Sequence, residues 1–170
     1  MFFSNQPYHT LSEKPPAIPT SPVVVIRMAT IFDIQQILIM AKKLRKMSVA
    51  TSHEIPDSEN KMSMYRGMIT TIINGKGLAL IAENCNGLLG YIAGRLEYNV
   101  WVDNSIMMYE AGFYASTKRA GVMLLKEYIS RCNKLKEMGK IQFFIIGEMP
   151  GISPDYSKFG MKPTDTLWMA

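Results

Sequence analysis

The chain contains few of the residues from which metal sites and hydrolytic relays are built. Its 170 residues include two cysteines, Cys85 and Cys132, and two histidines, His9 and His53. The cysteines are not spaced as Cys-x-x-Cys, so a thiolate zinc site or a disulfide framework has almost no material. A Ser-His-Asp relay is nearly excluded because the chain has only two histidines, one of them in the N-terminal tail. An acid or base is therefore expected to be a carboxylate, a tyrosine or a lysine, and the cysteine count fits a reducing cytoplasm.

Long apolar runs are also missing. Charges or glycines interrupt each run before it reaches the length of a membrane span, so a soluble protein is expected. The first 22 residues have neither the basic start nor the apolar stretch of a signal peptide, and their prolines oppose regular structure. We therefore expect an extended proline-rich arm over residues 1–22 and a single domain over residues 23–170.

What the chain does contain is enough apolar material for one core. Hydrophobic residues make up 48% of the sequence and charged residues 19%. The net charge of +5 favours an anionic partner and leaves nucleic acid, a membrane surface and a phosphorylated cofactor open. The basic run over residues 42–46 mostly alternates with the apolar positions of a predicted helix, so we interpret it as a solvated face.

The order of the predicted elements is that of a mixed α/β protein. A β-branched strand over residues 23–27 leads through a capping box of Thr30 and Asp33 into a first helix, and a second helix ends near Gly75. Two strands meet at Asn86-Gly87, a dipeptide typical of a hairpin turn. The predicted elements from there on are strands over 78–83, 88–97 and 105–115, a helix over 120–137, a strand over 141–146, a helical turn over 154–159 and a strand over 166–169.

The junction between the strand that ends near Ala115 and the next helix is the most informative local pattern. Small residues and a helix start bring free backbone N–H groups together, and the helix dipole adds roughly 0.3–1 kcal/mol per nearby anion. Lys118 and Arg119 add side-chain charge. The pattern is consistent with a pyrophosphate cradle, and it is not a P-loop because Gly121 is its only glycine. An ordinary turn with solvated basic residues is the alternative.

Four segments, in order, resemble the GNAT (GCN5-related) N-acetyltransferase superfamily, and the resemblance covers the chain from about Val23 onward. VIRMAT, followed by Asp33, is similar to the opening strand and first helix, and LLGYIA is similar to the middle strand. EAGFYA followed by KRAGVMLL is similar to the fourth strand and acyl-CoA loop, and YSKFGMKP to the Tyr-x-x-x-Gly-Phe-x-Pro ending. The resemblance implies an α/β (α+β) fold with a mixed, mostly antiparallel central sheet flanked by helices, whose fourth and fifth strands splay apart.

The acyl-CoA loop matches the family pattern Gln/Arg-x-x-Gly-x-Gly/Ala in two registers, and both remain open. With Lys118 first, Gly121 is the central glycine and Met123 stands where glycine or alanine is usual. With Ser116 first, Arg119 takes the central position and Gly121 the last. The resemblance implies that acetyl-CoA is bound by Phe113, Tyr114, Ala115, Lys118, Arg119, Ala120, Gly121, Val122 and Met123.

Two catalytic side chains are implied as well. Glu110 stands where one branch of the family, which includes histone acetyltransferases, has its general base. A base is wanted because an alkyl amine has a pKa near 10, so its deprotonation at pH 7 costs roughly 4 kcal/mol. Glu83, Glu97 and Glu148 are alternatives for this role. Tyr156 stands where many members have a tyrosine that protonates the leaving thiolate, as a phenol can.

The resemblance gives less detail on the backbone and on the acceptor. A backbone N–H near Phe113 or Tyr114 would polarise the thioester carbonyl, and Gly112 is expected to mark the bulge that splays the strands. The acceptor would lie against residues 48–65 and 147–155. The polar candidates in the first of these segments are His53, Glu54, Asp57 and Glu59, and Tyr98, Trp101 and Tyr109 are candidates to line the same cleft.

The sequence therefore predicts an N-acyltransferase that moves an acetyl group from acetyl-CoA to a primary amine, of a small molecule or a protein, by direct attack in a ternary complex without a metal. A non-catalytic module of the same fold that binds coenzyme A or a protein is the alternative. A nucleic-acid-binding protein is less favoured because aromatic residues are not interleaved with the basic ones. A membrane partner is not expected, and a homodimer is left open.

Overall fold

The computed structural model describes residues 22–47, 59–99, 102, 105–147 and 155–163. The predicted arm, apart from its last residue, and the predicted strand over 166–169 lie outside the described residues. The helices and strands in the described part are β1 (Val25–Met28), α1 (Ile34–Met47), α2 (Glu59–Thr71), β2 (Gly77–Asn84), β3 (Gly87–Tyr98), β4 (Ile106–Ala115), α3 (Lys118–Glu137) and β5 (Phe143–Ile145).

The five strands form one sheet in chain order. The pairs from β1 to β4 are antiparallel, and β5 pairs with β4 in the parallel direction. The predicted hairpin is present between β2 and β3, where Gly87 adopts a φ of 119° that glycine tolerates. The expectation of a mixed, mostly antiparallel sheet is confirmed.

Helices cover both faces of the sheet. α3 packs on one face, and α1 and α2 pack on the other. Along β2, Leu78 and Leu80 face α3, whereas Ala79 and Ile81 face α1 and α2. Burial on both faces explains why this strand reads as an almost continuous apolar run in the sequence. No described helix is both long and apolar enough to cross a membrane.

β4 and β5 separate after a short stretch of pairing. The ladder runs from the pair Met107 and Phe143 to the pair Tyr109 and Ile145. β4 continues to Ala115, and among the described residues the rest of this edge has no strand partner. The predicted splay is therefore confirmed. β5 is shorter than the strand predicted over residues 141–146 because it leaves the sheet edge where the two strands diverge.

A β-bulge lies in β4 at the point of separation. Ala93 pairs with Gly112 and Gly94 pairs with Glu110, which leaves Ala111 as the extra residue. An extra residue reverses the alternation of side chains between the two faces along the rest of the strand. The bulge expected at Gly112 is confirmed, and it begins at the residue before that glycine.

Candidate active site

α3 begins at Lys118, two residues before the start that the apolar pattern predicts, because Thr117 caps it. Thr117 has extended backbone angles, and its hydroxyl oxygen accepts a hydrogen bond from the Ala120 N–H at 3.2 Å. The Gly121 N–H donates to the Thr117 carbonyl at 3.0 Å. The N–H groups of Lys118 and Arg119 are the first two of the helix and have no carbonyl within it to bond. They can therefore donate to an anion at this helix end.

Gly121 lies where α3 passes closest to the end of β4. A Cβ added at this residue would lie 3.3 Å from the Ala115 Cβ and 3.8 Å from the Phe113 ring. The first of these contacts is tighter than ordinary packing, so the missing side chain lets the helix start lie directly against the strand. Met123 and Phe113 pack against the core between α3 and the sheet. The helix N-terminus is thereby held beside the unpaired edge of β4.

Glu110 lies at the first position of β4 beyond the pairing with β5. Its Oε2 accepts a hydrogen bond from the Gly147 N–H at 3.2 Å, and the Gly112 N–H also stabilises the carboxylate. Burial raises the pKa of Glu110 from an ordinary 4.5 to about 7, and the two N–H groups offset part of that rise. At neutral pH this carboxyl group is therefore present in both protonation states, which suits a general base.

Tyr156 reaches the same place from a short helical turn. The turn Tyr156–Phe159 begins after Asp155, whose side chain accepts from the Ser157 N–H, and ends at Gly160 with a φ of 75°. The Tyr156 hydroxyl donates to the Gly147 carbonyl at 3.1 Å. Gly147 thus contacts both sequence-predicted catalytic side chains, its N–H with Glu110 and its carbonyl with Tyr156. The structure brings these two side chains to opposite sides of one residue.

Three tyrosines lie around the bulge, of which Tyr91 and Tyr128 are fully buried and Tyr65 is partly buried. Tyr65 of α2 lies 3.0 Å from the hydroxyl of Tyr91 and donates to the Ala111 carbonyl at 3.2 Å. Tyr128 of α3 is fully buried on the other face, and its hydroxyl lies against Gly94. Burial raises the pKa of all three, that of Tyr65 to about 12. The only sequence signal for them is a glycine in each facing strand.

The other acidic candidates occupy different surroundings. Glu83 forms an ion pair with Arg27 across β1 and β2 at 2.8 Å, and Glu97 pairs with Arg95. Glu148, His53, Glu54, Asp57 and Trp101 lie outside the described residues, as does the side chain of Glu59.

The aromatic candidates for the acceptor site that the structure describes, Tyr98 and Tyr109, lie toward the end of β3 and the start of β4. Tyr98 is 76% exposed at the end of β3, and the Arg95 guanidinium lies 5.7 Å from the centre of the Tyr109 ring. Tyr109 immediately precedes Glu110 and points to the opposite face of the sheet. In the parts of the chain that the structure describes, no group of acidic, histidine and cysteine side chains is arranged to hold a metal.

Solved acetyltransferase structures match this fold over most of the chain. A predicted acetyltransferase from Clostridium acetobutylicum, solved with acetyl-CoA, has a TM-score of 0.62 at 16% identity and covers 87% of this chain and 96% of its own. Aminoglycoside N-acetyltransferase AAC(6')-Iy with a CoA bisubstrate analogue has a TM-score of 0.61 at 11% identity, with coverages of 87% and 97%. Glucosamine-6-phosphate N-acetyltransferase from Arabidopsis thaliana has a TM-score of 0.59 at 11% identity, with the same coverages.

These likenesses concern the fold of the chain. No family model matches the chain, and no curated protein does. The identities with the solved structures are low, so the likeness concerns architecture rather than sequence. The chain has the GNAT acetyltransferase fold, and the fold class that the resemblance implies is confirmed.

Proposed function

We propose that the protein is an N-acetyltransferase that transfers an acetyl group from acetyl-CoA to a primary amine by direct attack in a ternary complex. The observation that carries the proposal is the position of the Glu110 carboxyl group, which lies where β4 and β5 separate and accepts a hydrogen bond from the Gly147 N–H. Burial raises the pKa of this group to about 7, which suits a base. Glu110 lies at the start of the unpaired edge of β4, and its carboxylate and the Tyr156 hydroxyl both contact Gly147. The proposed base and the proposed acid therefore lie on the two sides of one residue.

The junction of β4 and α3 fits the pyrophosphate of coenzyme A. α3 has 20 residues, and its N-terminal N–H groups, at Lys118 and Arg119, carry the positive end of its dipole. The side chains of both residues are exposed and add positive charge at the same end. The close approach of α3 at Gly121 keeps this end of the helix beside β4.

The position at which α3 begins helps to choose between the two registers of the acyl-CoA loop. The register that begins at Ser116 covers the loop before α3 and the first turn of the helix, where unbonded N–H groups occur. The register that begins at Lys118 lies inside the helix, where the Gly121 N–H already bonds the Thr117 carbonyl. We favour the register that begins at Ser116. Ala120, Gly121 and Val122 then serve mainly to bring the helix close to the strand.

The unpaired edge of β4 suits the pantetheine arm. Alternate N–H and carbonyl groups of a strand point to the same side, and beyond Tyr109 those on the β5 side have no strand partner among the described residues. Phe113, Tyr114 and Ala115 form this edge between Glu110 and the helix N-terminus. One N–H of this edge is suited to polarise the carbonyl that the amine attacks.

The chain's own residues then divide the proton transfers between them. Coenzyme A supplies the acetyl group as a thioester, which is activated toward amines. Glu110, ionised, accepts a proton from the acceptor amine as the nitrogen bonds to the acyl carbon. Tyr156 releases the Gly147 carbonyl and donates its phenolic proton to the departing sulfur. Proton exchange with solvent restores both residues for the next turnover.

Calorimetric titration with acetyl-CoA tests the coenzyme part of the proposal. The wild-type chain is expected to bind acetyl-CoA with micromolar affinity and to prefer it to ATP at two salt concentrations. Absence of binding would overturn the proposal and would favour an anionic partner, such as nucleic acid, that binds the basic run over residues 42–46.

A matched pair of variants at Lys118 isolates the helix N-terminus. Lys118→Ala removes the side-chain charge, whereas Lys118→Pro removes the charge and one N–H. Proline is tolerated at the first position of a helix, and the extended Thr117, with φ −136° and ψ 147°, is compatible with a following proline. We expect the proline variant to bind acetyl-CoA about tenfold more weakly than the alanine variant. Equal affinities would place the pyrophosphate elsewhere.

Release of free thiol from acetyl-CoA, measured with a panel of amines, polyamines and peptides with free N-termini, tests the transferase part. Thiol release that depends on an added amine, together with mass-spectrometric detection of the acetylated amine, is the expected result. Tight binding of acetyl-CoA without amine-dependent release would instead indicate a non-catalytic module that binds coenzyme A.

A further inference from the structure

Tyr65 contacts the bulge of β4 from the face of the sheet opposite α3. Its hydroxyl donates to the Ala111 carbonyl at 3.2 Å and lies 3.0 Å from the hydroxyl of Tyr91. A phenol has one proton, so with that proton on Ala111 the Tyr65 oxygen accepts from Tyr91. The two tyrosines therefore form a directed chain of hydrogen bonds that ends at the bulge carbonyl.

That carbonyl belongs to the same peptide group as an N–H that stabilises Glu110. The Ala111–Gly112 peptide is trans, so its C=O and N–H point in opposite directions. The C=O faces Tyr65, and the N–H of Gly112 stabilises the Glu110 carboxylate. Hydrogen bonds in series polarise one another, so a donor on the carbonyl strengthens the N–H as a donor. One peptide group thus connects α2 with the candidate base.

Gly112 itself shows how closely the parts fit. A Cβ at this residue would collide with the Tyr65 hydroxyl and would lie 2.8 Å from the Tyr91 hydroxyl. The absence of a side chain is therefore what lets the two hydroxyl groups reach the bulge. The arrangement depends on a glycine in β4, a tyrosine in β3 and a tyrosine in α2.

We propose that Tyr65 is a positioning residue for Glu110, and that it acts through the Ala111–Gly112 peptide by fixing the orientation of that peptide and strengthening the stabilising effect of its N–H dipole on the carboxylate. The effect on activity rests on the proposed function, in which Glu110 is the base. The effect on the Glu110 carboxyl group itself does not depend on that function.

The groups near Glu110 come from four elements. Tyr128 of α3 lies on the same face of the sheet as Glu110, Tyr65 of α2 and Tyr91 of β3 lie on the opposite face, and the Gly147 N–H donates from the segment after β5. Burial raises the pKa of each phenol well above neutral pH, and the pKa of Cys132, beside Tyr128, is raised to about 12. Among the described residues, Glu110 is thus the member of this group that titrates near pH 7.

The variant that tests the proposal is Tyr65→Phe, which keeps the ring and removes the hydroxyl. Loss of the hydroxyl weakens the Gly112 N–H as a donor and makes the surroundings of Glu110 less polar. Both changes favour the neutral carboxyl group. The Glu110 titration, followed by carboxyl carbon NMR in the coenzyme-free protein, is expected to move upward by about 0.5 pH unit or more. The pKa that governs the acidic side of the pH profile of kcat/KM, measured with an amine that the protein acetylates, is expected to rise by the same amount.

Two further variants separate this effect from a general change in α2. Tyr91→Phe removes the donor to Tyr65 one step farther away, so a smaller upward shift is expected. Thr71→Val removes an exposed hydroxyl of α2 that donates to the Gly67 carbonyl at 2.9 Å, and no shift is expected. Circular dichroism shows whether each variant is folded. If Tyr65→Phe does not fold, the Tyr91→Phe titration decides the question, because an unchanged Glu110 would overturn the proposal.

Glu110→Gln separates the positioning role of Tyr65 from the proposed role of Glu110 as the base. If this variant loses the acid limb of kcat/KM and Tyr65→Phe leaves the Glu110 titration unchanged, the positioning role of Tyr65 is wrong and the proposed function stands. If Glu110→Gln keeps the acid limb, Glu110 is not the base. The carboxyl titration of Tyr65→Phe then still supports or overturns the positioning role by itself.

Discussion

Asp33 and Glu110 are both shielded from solvent beside the same sheet, yet their pKa values move in opposite directions. Asp33 receives hydrogen bonds from Arg27 at 2.8 and 2.9 Å and from the N–H and hydroxyl of Thr30, and its pKa falls to about 2. Glu110 receives only backbone N–H groups, and its pKa rises to about 7. At Asp33 the full positive charge of Arg27 outweighs the effect of desolvation on the pKa. At Glu110 the dipoles of two peptide groups do not outweigh that effect.

The difference separates a structural ion-pair site, at Asp33, from the proposed catalytic site, at Glu110. Arg27 binds Asp33 and Glu83 together, and so ties the start of α1 to β1 and β2. The Asp33 carboxylate stays ionised at neutral pH because its pKa is lowered to about 2. At the β4–β5 end the proton of Glu110 can be gained and lost at neutral pH. The contrast shows where in this fold the chain keeps a group suited to proton transfer.

The largest expected effect is on activity at the proposed catalytic site. Glu110→Gln removes the proposed base and keeps nearly the same shape, so kcat/KM at pH 8 should fall by about 100-fold to 10,000-fold. The acid limb of the pH profile should disappear with it. Glu127→Gln is the matched control, since Glu127 pairs with Arg131 on the surface of α3. Equal activity of the Glu110 and Glu127 variants would remove Glu110 from the mechanism.

The same substitution should change stability in a direction that depends on pH. The pKa of Glu110 is about 7 in the folded chain and near 4.5 when unfolded, so the folded state binds the extra proton between these values. In the wild type, the contribution of Glu110 to the free energy of unfolding is fully present below pH 4.5 and is lost as the pH rises through 7. Glu110→Gln should therefore gain up to about 3 kcal/mol over wild type at pH 8 compared with pH 4.5. Urea unfolding at both pH values measures the difference, and a gain independent of pH would contradict it.

The structural site should respond in the opposite sense. Arg27→Met leaves the buried Asp33 carboxylate without its cation and should cost roughly 1–2 kcal/mol at pH 7, after allowance for the exposure of Arg27. The folded pKa of Asp33 is depressed, so its contribution is present above pH 4 and is lost as the pH falls toward 2. The difference in the free energy of unfolding between wild type and Arg27→Met should thus become smaller at acidic pH. A difference that stays constant with pH would show that packing, rather than charge, is what Arg27 supplies.

The smallest expected effect is at Tyr156. Tyr156→Phe removes the proposed proton donor and keeps the ring, so kcat should fall about tenfold while the affinity for acetyl-CoA stays close to wild type. Stopped turnover and calorimetry on the same preparation separate the two quantities. A variant with unchanged kcat would leave Tyr156 as a structural residue that holds the Gly147 carbonyl.

The sequence predicts the fold well because the elements that define it leave local signals. Asn86-Gly87 indicates a hairpin, Thr30 and Asp33 indicate a helix start, and Gly160 indicates the end of a turn. Each signal depends on the local backbone and a few neighbouring residues. The start of α3 is predicted less well, because its cap at Thr117 precedes the apolar pattern from which the helix was recognised.

The surroundings of the candidate base could not be predicted in the same way. Tyr65, Tyr91 and Tyr128 come from three elements far apart in sequence, and each fits the apolar pattern of its own helix or strand. Their meeting at the bulge depends on Gly94 and Gly112, which read locally as isolated strand glycines. The raised pKa of Glu110 likewise depends on burial by residues that do not neighbour it in the chain.

A single carboxyl-carbon NMR titration of the coenzyme-free protein from pH 2 to 9 tests the central contrast most directly, with Glu110→Gln and Asp33→Asn used to assign the two signals. We predict that Glu110 titrates near pH 7 and that Asp33 titrates near pH 2. A Glu110 signal that titrates between pH 4 and 5 would contradict the account, because a solvated carboxyl group at the end of β4 would have none of the properties assigned to it here.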